Sequence, residues 1–273
     1  NEFVWASERD GWNHLYRFDA VTGQQINQIT QGEWVVRRIE HVDEDRGVIW
    51  FAAMGIYPDQ DPYHVHLARV NLDGTGLVVL TDGDGTHQWE FNTDRSLFVD
   101  RWSRVDLPET VQLREAEKGA VVADLFTQDI SELQRQKFTL PIRFESVGRD
   151  NQTMIYGTLI LPSTFNPEKS YPVIENIYAG PHDFHVKKHF RGHISQRRLA
   201  ELGFVVVQID GMGTNWRSKK FHDVCWKNLS DAGLPDRIAW LKAAAKQYPW
   251  IDLSRVGIYG GSAGGQNALA AVL

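Results

Sequence analysis

Short apolar runs broken by polar turns fill the chain up to about residue 127 and then give way to a different pattern. Phe3-Val4-Trp5-Ala6, Val48-Ile49-Trp50-Phe51-Ala52 and Leu97-Phe98-Val99 are of this kind, with turn signals at Thr22-Gly23, Asp73-Gly74 and Asp84-Gly85 between runs. Such spacing predicts strands joined by tight turns. The runs also repeat. The first two lie 45 residues apart, His14-Leu15-Tyr16-Arg17 and His66-Leu67-Ala68-Arg69 lie 52 apart, and Thr30-Gln31-Gly32 and Thr81-Asp82-Gly83 lie 51 apart. A repeat of roughly 40–50 residues holding four short strands is the signature of a propeller blade. Two to three blades are predicted, the third beginning at Leu97; an all-β sandwich is the alternative. Two or three blades cannot close a ring and leave unpaired edges, so a larger propeller is expected to continue toward the N-terminus.

After residue 127 the period changes. Gln128 to Lys137 reads as a short linking helix, and Phe144 to Leu161 as a hairpin turning at Asp150-Asn151. Buried strands are then predicted at Tyr171–Tyr178, Phe204–Ile209 and Arg255–Tyr259, with helices at Ile194–Leu202 and Pro235–Tyr248 between them. The second helix starts on proline and carries Ile238, Leu241 and Ala245 as its apolar face. Near-continuous apolar strands alternating with helices predict a parallel sheet covered on both faces, with ligands beyond the carboxyl ends of the strands. Tyr178, Asp210-Gly211 and Ser262 fall at such ends. The fold class is therefore a β-propeller fragment followed by the N-terminal part of an α/β-hydrolase fold. Residues 1–127 form the partial propeller and 128–142 the linker helix and connection. Residues 143–273 form the N-terminal half of the hydrolase domain, ending just after the turn that carries Ser262.

That turn carries the chemistry. Gly260-Gly261-Ser262-Ala263-Gly264 fits G-x-S-x-G, follows the apolar Val256-Gly257-Ile258-Tyr259, and opens an Ala-rich helical tail. A sharp strand-to-helix turn lifts a serine hydroxyl clear of the sheet and tolerates only small neighbours, which makes Ser262 a candidate nucleophile. Its base and orienting acid normally follow it in the order Ser, Asp/Glu, His. Residues 263–273 contain none of these, and all ten histidines precede Ser262. The triad Asp and His are thus expected outside the chain, and these 273 residues alone are expected to be inactive.

Composition adds bounds. A hydrophobic share of 42% with ten Trp supports a substantial core, while scattered Lys and Arg and a net charge of −6 argue against a nucleic-acid surface. No apolar run reaches the roughly 18–20 residues needed to span a membrane. A single Cys225 and the absence of a starting Met leave the compartment open, with a periplasmic or secreted full-length protein favoured slightly. No metal and no cofactor is implied. His182, His185, His189 and His193 could bind a metal if the last three shared a helix face, but interleaved Lys187, Lys188 and Arg191 would repel a cation. His64 and His66 with Asp61 are poorer candidates. Adjacent His222-Asp223 side chains point apart, and Cys225 reads as a small buried hydrophobe.

On these residues the chain resembles the prolyl oligopeptidase superfamily, serine peptidase family S9, and within it the dipeptidyl peptidase IV branch, truncated at both ends. Carrying the resemblance are Asp10-Gly11-Trp12-Asn13-His14-Leu15-Tyr16, Gln31-Gly32-Glu33-Trp34, Trp102-Ser103-Arg104-Val105-Asp106, Ile177-Tyr178-Ala179-Gly180-Pro181, Gln208-Ile209-Asp210-Gly211 and the Ser262 turn. The resemblance implies a propeller covering a hydrolase that releases dipeptides from free peptide N-termini, preferring proline or a small residue second. It implies an oxyanion hole made of the Ala263 backbone N–H and the Tyr178 hydroxyl. Peptides are the implied partners, and a homodimer through the hydrolase domain is an expectation. Two departures stand out. Ala263 replaces the aromatic residue common after the serine, which alters one wall of the proline pocket, and Met212 stands where arginine is frequent. The family's paired glutamates that grip the substrate ammonium have no counterpart here. An oligopeptidase, an acylaminoacyl peptidase or an esterase on the same fold, or a non-catalytic propeller module, are the alternatives.

Overall fold

In a computed structural model describing residues 1–273, two compact units divide the chain: Asn1–Gln128 together with Trp216–Lys220, and Asp129–Asn215 together with Phe221–Leu273. The first is built of antiparallel meanders. β1 (Glu2–Ser7), β2 (His14–Asp19) and β3 (Gln25–Gln28) form one sheet. β4 (Val35–Asp43), β5 (Val48–Met54), β6 (Val65–Asn71) and β7 (Val78–Val79) form the next. β8 (Thr86–Phe91), β9 (Leu97–Arg104), β10 (Leu107–Glu115) and β11 (Val121–Thr127) form the third. These are propeller-type blades. The repeating apolar runs fall on β1, β5 and β9, and β5 and β9 are the second strands of their sheets. The third blade therefore begins at Thr86, one strand earlier than the repeat suggested, because polar Thr86 to Glu90 hides its first strand. Residues Ile49 to Met54 of β5 are all buried, so this strand is covered on both faces and loses the in-out alternation of a half-exposed sheet.

The repeated His and Thr positions make the same latch in two blades. His14 Nδ1 lies 3.0 Å from Thr30 Oγ1, and His66 Nδ1 lies 3.1 Å from Thr81 Oγ1. Each threonine oxygen accepts a backbone N–H as well, from Leu15 at 2.9 Å and from Leu67 at 3.1 Å. His14 Nε2 meets the Gly32 carbonyl and His66 Nε2 meets Gln60 Oε1, both at 2.9 Å. A carbonyl only accepts, so His14 Nε2 carries the proton and its Nδ1 accepts from the threonine hydroxyl, whereas His66 Nδ1 also lies 3.2 Å from the Thr81 carbonyl and can itself carry the proton. Burial pushes the His14 pKa down; burial, then the neighbouring His87 and His64, push that of His66 well down. The unfolded chain, with ordinary histidines, binds more protons, so stability present above about pH 6.5 is lost as pH falls toward the folded values, by up to about 1.4 kcal/mol per pH unit for His66. The urea midpoint of the chain should accordingly fall between about pH 6.5 and 5, and His66→Gln should flatten that fall.

The second unit opens with α1 (Ser131–Arg135), β12 (Ile142–Val147), β13 (Met154–Ile160) and β14 (Tyr171–Asn176). α2 (Arg197–Ala200), β15 (Val205–Asp210), α3 (Lys219–His222), α4 (Leu234–Gln247), β16 (Ile251–Tyr259) and α5 (Ala263–Val272) follow. The sheet order is β12-β13-β15-β14-β16. β14 runs parallel to β15 and β16, while β12, β13 and β15 pair antiparallel, so the sheet is mixed rather than wholly parallel. Its core gathers Ile155, Leu159, Val173, Val205, Val207 and Ile209 from the strands against Trp240, Leu241 and Ala244 of α4. Trp240 Nε1 donates to the Phe144 carbonyl at 3.1 Å, so its one polar group is satisfied.

Two predictions need correction. Ile238 of α4 is 51% exposed, and the buried face is Asp236, Arg237, Trp240, Leu241 and Ala244. Two charges replaced an apolar position because the helix start is used for ion pairs. The predicted helix at 194–202 is regular α-helix only over Arg197–Ala200, with turn hydrogen bonds extending it from Ile194 to Gly203. β16 pairs with β14, and within these residues Val256 and Tyr259 are 46% and 38% exposed. No helix is long and apolar enough to cross a membrane.

Candidate active site

β16 ends at Tyr259 and α5 begins at Ala263, leaving three residues for the reversal. Ser262 takes φ 53° and ψ −123°. This is sparsely populated space for a residue with a Cβ, worth about 1–3 kcal/mol of strain. Small neighbours make it possible. A Cβ on Gly260 would sit 2.5 Å from the Ile177 carbonyl oxygen and from the Gly264 backbone, and one on Gly264 would run into the same Ile177 oxygen. The first and last glycines of the motif are therefore pressed against each other and against the end of β14. Ser262 is exposed and makes no side-chain cap to its own helix, so its hydroxyl is not committed there. Ala263 is the first residue of α5, where backbone N–H groups lack intrahelical partners and the helix dipole favours negative charge.

Tyr178 lies one residue past the close approach. Ile177 N donates to the Tyr259 carbonyl at 2.9 Å, which ties the Tyr178 loop to the strand end just before the turn. A Cβ on Gly264 would come 3.5 Å from Tyr178 Cα. The structure thus brings Ser262, Ala263 and the Tyr178 backbone to one strand end. Asp210 ends β15 and is fully buried, accepting the N–H of His185 at 2.8 Å and of Val186 at 3.0 Å. Burial raises its carboxyl pKa, opposed by Lys188 and these donors.

Several residues that organise the site were not singled out by sequence. Asn267 on α5 is 1% exposed; its Oδ1 accepts from Ala179 N at 3.1 Å, and its Nδ2 donates to the Leu229 and Ser230 carbonyls at 2.8 and 3.0 Å. It clamps two loops to the helix that starts at Ser262. Asp236 in the first turn of α4 accepts Met212 N at 2.8 Å and Arg149 N at 2.9 Å, and pairs with the Arg149 guanidinium at 2.8 Å. Glu175 in β14 pairs with Arg237, both buried. A signal existed for two of them: an asparagine within an Ala-rich helix for Asn267, and for Glu175 a glutamate inside Val173-Ile174-Glu175-Asn176-Ile177, where a charge requires a partner.

The weaker constellations resolve differently. His182, His185, His189 and His193 lie in irregular backbone, so they share no helix face. No group of three or more His, Cys, Asp or Glu is placed to hold a metal ion. His222 Nε2 meets the Pro181 carbonyl at 2.6 Å. Cys225 is half-buried, and burial raises its thiol pKa.

Comparison with known proteins agrees with this architecture. Residues 1–109 match the family Dipeptidyl peptidase IV (DPP IV) N-terminal region, and residues 189–273 match the Prolyl oligopeptidase family. The Probable dipeptidyl-aminopeptidase B of Emericella nidulans is 30% identical over 94% of this chain and 28% of its own length. Mouse dipeptidyl peptidase 8 is 29% identical over the whole chain and 34% of its own length. This chain therefore spans about a third or less of these curated relatives. Among solved structures, Porphyromonas gingivalis dipeptidyl peptidase 4 has a TM-score of 0.77 at 24% identity, covering 99% of this chain and 37% of that one. A Bacteroides ovatus protein has a TM-score of 0.82 at 23% identity, covering 100% of this chain and 40% of that one. With the repeated blades and the strained serine turn, these matches place residues 1–109 with the Dipeptidyl peptidase IV (DPP IV) N-terminal region and residues 189–273 with the Prolyl oligopeptidase family.

Proposed function

We propose that the protein containing these residues is a serine exopeptidase that releases dipeptides from free peptide N-termini. The observation that carries the reading is the backbone of Ser262, held at φ 53° with its side chain exposed at the start of α5. Strain of this kind persists only where the surroundings over-determine it, and it presents a hydroxyl for attack. Ser262 Oγ attacks the scissile carbonyl and forms a tetrahedral oxyanion. The Ala263 N–H and the Tyr178 hydroxyl stabilise that oxyanion, each donor contributing about 3 kcal/mol. The base that takes the serine proton, and the carboxylate that orients it, come from the part of the longer protein that these residues do not span. Within this unit His185 packs on Tyr178 and His222 on Pro181, so both already have structural duties. Ala263 contributes only a methyl group next to the nucleophile, which alters one wall of the proline pocket.

The test uses the full-length protein on Gly-Pro and Ala-Pro chromogenic dipeptides, each with a free or a blocked N-terminus. Turnover of the free peptides alone supports the reading. Preference for the blocked ones would select an oligopeptidase or acylaminoacyl peptidase instead. A folded protein with no turnover and no fluorophosphonate label on Ser262 would leave a non-catalytic propeller module.

A further inference from the structure

The Tyr178 ring is held between two histidines. His185 stacks on it at 5.7 Å between centroids and 27° between planes, and His182 meets it edge-on at 5.4 Å and 90°. The two differ in what holds them. His182 is exposed, whereas His185 is anchored from three directions. Its backbone N–H donates to Asp210 Oδ1 at 2.8 Å. Its Nε2 lies 2.9 Å from Asn176 Oδ1 and 3.0 Å from Gln208 Nε2. Gln208 Nε2 donates to Asn176 Oδ1 at 2.9 Å, and Gln196 Nε2 donates to the same oxygen at 3.1 Å. Either neutral tautomer fits: the ring donates to Asn176 or accepts from Gln208.

This network is costly to build. Asn176 and Gln208 sit 9% and 2% exposed beside the buried Glu175 and Asp210 of the same strands, and buried amides are unfavourable unless bonded. The ring they converge on is the one stacked against the phenol of Tyr178. A phenol on a loop swings about two torsions, and an oxyanion donor is useful only when held within about 0.5 Å of its position.

We infer that His185 is a positioning residue: locked by Asn176, Gln208 and Asp210, its ring fixes the Tyr178 phenol in the orientation that donates to the oxyanion. The charges around it are consistent with a neutral ring. Burial, then Lys187 and Arg237, push its pKa down to about 4. Glu175 is engaged by Arg237, and Lys188 acts on Asp210. The inference rests on the reading of Tyr178 as an oxyanion donor.

A double-mutant cycle in the full-length protein tests it, with kcat and KM measured on a free Xaa-Pro or Xaa-Ala chromogenic dipeptide. Tyr178→Phe should lower kcat roughly 100-fold, the effect of removing one oxyanion donor. His185→Ala should lower kcat roughly 10-fold with KM changed less than about 2-fold, a loss confined to the transition state. In the Tyr178→Phe background His185→Ala should add nothing, because the residue acts only through the hydroxyl. His185→Phe keeps a stacking ring but loses the bonds to Asn176 and Gln208, so its kcat should fall between those of the parent and the alanine variant, by about 3-fold or more. If His185→Ala does not fold, Gln208→Met takes its place, with a loss of about 3-fold or more that disappears in the Tyr178→Phe background. Independent, multiplying losses would overturn the inference, as would parental kcat in His185→Ala or a His185→Phe as slow as the alanine variant. Parental kcat in Tyr178→Phe would overturn the oxyanion reading as well, whereas a slow Tyr178→Phe beside a normal His185→Ala would overturn the inference alone.

Discussion

Ser262→Ala in the full-length protein is expected to lower kcat by at least about 10⁴-fold and to abolish fluorophosphonate labelling, since loss of a nucleophile removes the covalent route. The same position makes a second, independent prediction about stability. Ser262 stands at φ 53°, a conformation that any residue with a Cβ adopts under strain. Alanine keeps that Cβ, so Ser262→Ala should unfold at nearly the parental urea concentration. Glycine removes it. Ser262→Gly should gain about 1–3 kcal/mol from relieved strain and lose about 0.4–1 kcal/mol to the freer unfolded chain, leaving a net gain near 1 kcal/mol. Urea titration of the three proteins reads this directly. Equal midpoints for the glycine and alanine variants would show that the backbone at Ser262 is not strained. A loss of kcat below about 10-fold would remove Ser262 from the nucleophile's role. The two results together would identify a site that trades stability for function.

Local signals in the sequence reached a long way into this fold. The His14 and His66 repeats were visible as strings of letters 52 residues apart, and they turned out to be the same hydrogen-bonded latch in two blades. The serine turn was legible because its glycines report a steric requirement between residues near in sequence. Less legible was anything depending on which strands become neighbours. Arg237 interrupts the apolar face read on α4, yet it is buried against Glu175 of β14. Polar Thr86 to Glu90 hid a strand whose existence rests on pairing with β9 rather than on its own period. Within the site the same division holds. Ser262, Ala263 and Tyr178 are proposed from motif and resemblance. The hydrogen bonds of Asn267, His185, Gln208 and Asp236 were not legible, because their partners lie 23 to 88 residues away and a single sequence carries no sign of which distant group a buried polar side chain will meet.

Glu175→Met is expected to cost about 3–5 kcal/mol of folding stability, the largest loss among these variants, because it strands the Arg237 cation in the interior. Glu175 and Arg237 are 3% and 1% exposed, and Arg237 Nη1 donates to Glu175 Oε1. Arg237 Nε and Nη2 have no hydrogen-bond partner, so the guanidinium is only partly satisfied even with its carboxylate present. A half-satisfied buried pair contributes little beyond what packing would supply. Arg237→Met should therefore cost less than Glu175→Met, since a lone buried carboxyl can protonate whereas a guanidinium cannot lose its charge. The double variant Glu175→Met/Arg237→Met should return to within about 1 kcal/mol of the parent, or exceed it. Urea midpoints of the four proteins decide this, and a double variant as unstable as Glu175→Met would show that the pair is favourable as a pair. The pair also reaches the candidate site. Arg237 is one of the positive charges holding the His185 pKa low. Its removal should let that pKa rise from about 4 toward the ordinary value, a shift readable by NMR titration of the His185 ring. The double variant would then keep its fold while the ring stacked on Tyr178 becomes easier to protonate. That would separate what the buried charges do for stability from what they do for the residue that orients the phenol.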